Sequence, residues 1–107
     1  MDQELINRLR IAIDPWKDQV EEKRMFGGTC FLYKGKMCIG ENKGQLVVRV
    51  IDHKMEYLLS KPYVTPMDFT GKPMKEFIFV HSDGYTTEEQ LQHFVELGIE
   101  HAKSKTE

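Results

Sequence analysis

Apolar residues recur in three- and four-residue steps near both ends of the chain, and in alternation or short runs between them. That pattern predicts terminal helices around a β-rich middle. Leu5, Leu9, Ala12, Ile13 and Trp16 form the first stripe, with Asp2 placed to cap it. Asp14-Pro15 stops that helix or restarts a short turn through about Val20, because proline suits a first helical position and not an interior one. Trp16 is then expected to plug the core against the sheet. The last helix carries Leu91, Phe94, Val95, Gly98, Ile99 and Ala102 on one face. Thr86-Thr87-Glu88-Glu89 precedes it as a capping box, read with Thr86 as N-cap and Glu89 reaching back. Gly98 in mid-stripe weakens a helix, so it predicts a close approach to the sheet or to another helix. Residues 103–107 read as a frayed polar tail.

The middle reads as strands at about 23–26, 29–33, 36–40, 45–51, 67–69 and 75–80, with a brief helix between the fourth and fifth. Lys34-Gly35 makes a tight hairpin turn, Glu41-Asn42-Lys43-Gly44 the next, and Thr70-Gly71-Lys72-Pro73 a third. Asp52 is expected to cap the brief helix, which carries Met55, Leu58 and Leu59 and ends before Pro62. Helix, strands, short helix, strands, helix is not the alternation that builds a parallel sheet. It predicts a two-layer α+β fold, a mainly antiparallel sheet of about five strands with the N- and C-terminal helices packed on one face, in a single domain 1–107. Both parities of 45–51 are apolar, and Phe77-Ile78-Phe79-Val80 is a continuous apolar run. The second sheet face therefore needs cover, from the short helix or from a second subunit, and a homodimer is expected.

Charge narrows the function. With 15 basic and 17 acidic residues the net charge is −2, a poor electrostatic footprint for gripping phosphates. Arg24, Lys34, Lys36, Lys43 and Arg49 could form a local basic patch, but a solvated surface is the preferred reading. The last helix carries Glu88, Glu89, Glu96 and Glu100, while Arg8 and Arg10 in the first are two apart and face different ways. Tight, sequence-specific DNA binding is thus not expected of this chain. No apolar stretch is long enough to cross a bilayer, and Met1-Asp2-Gln3-Glu4 lacks the features of a signal peptide, so a cytoplasmic location is expected.

Catalytic constellations are missing. Ser60, Ser82 and Ser104 have no G-x-S-x-G context, and no phosphate-loop pattern occurs. Cys30 and Cys38 flank the Lys34-Gly35 turn. A two-residue loop sets Cys30 against Ile39 and Cys38 against Phe31, with the thiols on opposite faces; a three-residue loop would put both on one face. Two small buried apolar residues are the favoured reading. His53, His81, His93 and His101 are scattered and read as exposed or capping side chains. No enzyme activity, cofactor or metal is expected.

The segment Arg24-Met25-Phe26-Gly27-Gly28, the Gly35-Lys36-Met37 turn, the strand Leu46-Val47-Val48-Arg49-Val50 and the segment Phe69-Thr70-Gly71-Lys72-Pro73-Met74 together resemble the N-terminal domain of the TfoX/Sxy family of bacterial competence-gene regulators. The resemblance implies a two-layer α/β domain and a regulator-like module that works through a protein partner, such as a transcription factor. It brings no catalytic residue. Full-length members carry a second, helical domain; this sequence ends at Glu107, and a standalone version is expected. Gly27-Gly28 reads first as a bulge or tight bend, and secondly as backbone left open for a partner. On that second reading the partner-binding residues are Arg24, Phe26, Gly27, Gly28, Lys34 and Lys36. The competing function is a small ligand- or peptide-binding domain with no role in transcription.

Overall fold

A computed structural model describes residues 2–25, 27–68 and 73–106. Helix α1 (Gln3–Ala12) is followed by strands β1 (Val20–Met25), β2 (Gly28–Tyr33), β3 (Lys36–Asn42) and β4 (Gln45–Arg49). Then come α2 (Asp52–Leu59), β5 (Val64–Asp68), β6 (Pro73–Val80) and α3 (Glu88–Thr106). The strands form one antiparallel sheet in the order β1-β2-β3-β4-β6-β5. The fold is the expected α+β, with six strands rather than about five.

Asp2 caps α1 as its sequence position suggests, its Oδ1 accepting from the N–H of Leu5 at 3.0 Å. Leu5, Leu9, Ala12 and Ile13 are buried by that helix. Asp14–Trp16 forms a 3-10 turn with Pro15 near its start, and Trp16 packs half-buried against the core. Both Lys34 and Gly35 have positive φ, 48° and 86°, the geometry of a two-residue hairpin turn whose twist matches the strands.

The two-residue loop does not give the simple register. A bulge shifts β3 so that Phe31 faces Ile39, Leu32 faces Met37 and Cys30 faces Gly40, leaving Cys38 as the extra residue. A Cβ at Gly98 would collide with the carbonyl oxygen of Cys38, so the bare glycine is what lets α3 lie on the bulged strand. Cys38 is fully buried and donates its thiol to the carbonyl of Phe31 at 3.3 Å. Burial pushes that thiol up to about 12. Cys30 sits on the other face of the sheet, so the expected separation of the thiols holds, by a different register.

Three terminal assignments differ from the sequence pattern. The N-cap of α3 is Thr87: its hydroxyl accepts from the N–H of Gln90 at 3.1 Å, and Gln90 Oε1 accepts from the N–H of Thr87 at 3.1 Å. Both threonines have an acid or amide three residues on, and only hydrogen-bond geometry selects between them. Asp52 is the first residue of α2 and Ile51 precedes it with no side-chain cap. Residues 103–106 continue α3; Ser104 and Thr106 donate their hydroxyls to the carbonyls of His101 and Ala102.

All three helices lie on one side. The core joins Leu5 and Leu9 of α1, Leu58 of α2, and Leu91, Phe94, Val95, Ile99 and Ala102 of α3 with Phe31, Ile39, Val48, Ile78 and Val80 of the sheet. Lys54 Nζ reaches Glu100 Oε1 at 2.7 Å, tying α2 to α3. The short helix therefore does not cover the second sheet face.

Candidate functional site

The second face follows from the register. Phe31, Ile39, Val48 and Ile78 align across the strands toward the helices, so the neighbouring row, Cys30, Gly40, Val47, Phe79 and Thr65, points the other way. Leu32, Arg49, Phe77 and Met67 share that side. No helix among the described residues covers it, yet Cys30, Leu32, Val47 and Met67 are buried, Val47 to 2% exposure, while Phe77 and Phe79 are half-buried. At Gly28 and Gly40 an added Cβ would strike the carbonyls of Glu41 and Thr29, so β2 and β3 crowd one another there.

Both sheet edges are guarded. β1 presents Glu21, Glu22, Lys23 and Arg24, all exposed, and charge on an edge opposes strand addition. Arg10 of α1 clamps that edge with a two-pronged pair to Glu22, at 2.8 and 2.7 Å; the pairing holds the Glu22 carboxyl below its usual range. On β5, the N–H of His81 bonds to the carbonyl of Tyr63 at 2.7 Å. Alternation then turns the backbone nitrogen of Pro66 outward, where it has no hydrogen to offer. Assembly through this sheet would use its face, where Arg49, Thr65, Phe77 and Phe79 are half-buried, and not its edges.

The residues expected to bind a partner do not form one patch. Arg24, Gly27 and Gly28 stand at one end of β2, and Lys34 and Lys36 at the other, roughly 17 Å away along the strand. Phe26 lies outside the described residues, as does the expected turn at 70–72. Gly27 has φ +77°, so the bend assigned to the glycine pair is present. Lys43 and Arg49 are likewise at opposite ends of β4 and its turn. The open-face residues Cys30, Leu32, Val47, Phe77 and Phe79 were not among the expected site residues; their signal was the apolar character of both parities in β4 and β6.

Glu41 and His101 are among the buried polar residues elsewhere. The carboxylate of Glu41, 1% exposed, accepts from the N–H groups of Asp2 and Gly44 at 3.0 and 2.8 Å, joining the start of α1 to the β3–β4 turn. His101, expected to be exposed, is fully buried. It stands eight residues from exposed His93, which is about 80° around a helix and so a different face. Its Nε2 lies 3.3 Å from Glu76 Oε1 without the alignment of a hydrogen bond. Burial lowers the His101 pKa, against the pull of Glu76, with Arg49 and Lys105 lowering it further. Glu76 has φ +68°, an uncommon conformation for a side-chain-bearing residue. Desolvation raises its carboxyl, and His101, Lys105 and Arg49 together outweigh that and lower it.

Among the described residues no three His, Cys, Asp or Glu side chains gather as metal ligands, and no helix is long and apolar enough to cross a membrane. The geometry defines a two-layer α+β domain with a guarded, helix-free sheet face. The chain belongs to the TfoX N-terminal domain family, whose model matches residues 13–102. No curated protein matches the chain.

Proposed function

We propose that this chain is a non-catalytic, regulator-type interaction module that works through a protein partner and not by holding DNA itself. The observation that carries the reading is the sheet face that no described helix covers, on which half-buried Phe77 and Phe79 stand beside buried Leu32 and Val47, between edges that reject strand addition. A protein presenting an apolar surface suits that face; interfaces place such residues at their centre with charge at the rim. Glu21, Lys23 and Arg49 supply charge around it. Family membership supports a regulatory role of the TfoX kind, and the acidic outer surface of α3 opposes phosphate. A second copy of the chain is the competing occupant, and sedimentation at high concentration separates a self-associating chain from a monomer awaiting another protein.

Fluorescence anisotropy against duplex DNA at physiological salt tests the indirect mode of action. Only weak, salt-sensitive binding without sequence preference is expected. Sub-micromolar binding with clear sequence preference would overturn it.

A further inference from the structure

His101 and Ala102 are the last buried residues of α3, and from Lys103 onward the described side chains are half-buried or exposed. The hydroxyls of Ser104 and Thr106 bond back into the helix, to the carbonyls of His101 and Ala102, so they hold the turn together without docking it. A helix end, whose final carbonyls lack intrahelical partners, opens at little cost. The docking of residues 101–106 on the sheet therefore rests mainly on one methyl group and one imidazole.

That imidazole is a poor anchor once charged. It is fully buried, and neither ring nitrogen has a hydrogen-bond partner among the described residues. Glu76 of β6 brings Oε1 within 3.3 Å of Nε2 but is not aligned to accept from it. The Glu76 backbone is fixed at φ +68°, its carbonyl accepting from the N–H of Val50 at 2.8 Å. The charged groups acting on the ring are Glu76 from β6, Arg49 from β4 and Lys105 from α3 itself; none from α1, α2, β2 or β3 is among them. One carboxylate thus stands against two cations before the ring takes a proton. Arg49 Nε is also buried without a hydrogen-bond partner, so the cluster already leaves one cationic donor unsatisfied. A buried imidazolium without an aligned counter-charge is costly. Burial, the largest influence on this ring, accordingly lowers its pKa.

We propose that His101 is a proton-operated latch on the end of α3. With the ring neutral, residues 101–106 lie docked. When its unprotonated nitrogen takes a proton from solvent, the imidazolium moves out into water and carries those residues off β6. Leu91, Phe94, Val95 and Ile99 keep the rest of the helix packed. The latch is independent of whatever meets the sheet face.

A nuclear magnetic resonance titration of the chain from pH 7.5 to pH 5 tests it, following the His101 ring and the Cα shifts of α3 together. Glu76 stays ionised across that range, its carboxyl lying below its ordinary 4.5. A released His101 titrates near its ordinary 6.5, so the ratio of released to docked ends should rise about thirtyfold. The Cα shifts of residues 101–106 should move toward coil values in step with ring protonation, while those of residues 91–99 stay helical. His101→Gln, which takes up no proton, should abolish the response, and the wild-type titration decides even where that variant fails to fold. Protonation of the ring with residues 101–106 still helical would show the charge absorbed in place beside Glu76 and overturn the latch. So would a ring still neutral at pH 5, loss of helical shifts at 91–99 together with 101–106, or the same response from His101→Gln.

Discussion

The two faces of the sheet bury apolar side chains in different ways. Toward the helices, Phe31, Ile39, Val48 and Ile78 are enclosed by α1, α2 and α3, and contact is close enough that Gly98 must lack a side chain against Cys38. On the other face Val47 and Met67 are as well buried, with no helix above them, while Phe77 and Phe79 keep part of their rings in water. One face is closed by helices; the other, with no described helix over it, leaves Phe77 and Phe79 half-buried. A helix-packed face sets stability; half-buried rings between guarded edges are what the proposed partner would meet.

The largest expected effect is on the finished face. Gly98→Val places branched carbon where the Cys38 carbonyl stands, and overpacking there should destabilise by about 3 kcal/mol or more, seen as a lower urea midpoint. Next comes a matched pair of truncations. Ile78→Ala, facing the helices, should cost about 3 kcal/mol, and Phe79→Ala, its neighbour on the open face, about 1 kcal/mol, because less of that ring leaves water on folding. Equal costs would mean that the open face is as fully packed as the other.

A smaller effect is set by pH. The unfolded chain binds a proton at His101 near its ordinary 6.5, whereas burial lowers that value in the fold. Across the window below pH 6.5 the unfolded state holds more protons, so stability falls as pH is lowered and levels off once the folded form is protonated. Glu76, Arg49 and Lys105 face the same imidazole, and Glu76 titrates in a lower window, below its ordinary 4.5. Thermal melts from pH 8 to pH 5 should show this slope, and His101→Phe should flatten it.

Much of the helix-packed face was legible. The stripes of α1 and α3, the Lys34-Gly35 turn and the close approach at Gly98 each follow from local spacing and glycine placement, and each is present. The register of Cys38 was not legible, because nothing local in the sequence marks the extra residue of β3. His101 escaped for a related reason: its spacing from His93 rotates it inward, and nothing local marks a buried imidazole. The candidate site was legible only as an excess of apolar residues in β4 and β6. Which elements cover which face is a tertiary fact, and the sequence pattern named basic and glycine positions at the ends of β2 instead.

On the proposed function, the sheet face that no described helix covers meets a protein partner. Site-specific photo-crosslinking inside the source cell tests it most directly, with the probe at Thr65 on the open face or at Ile11, which is 74% exposed on α1. A discrete crosslinked protein is expected from position 65, none from position 11, and loss of that product when Phe79→Lys is added. The same product from both positions, or no product from position 65 while position 11 gives one, would contradict it.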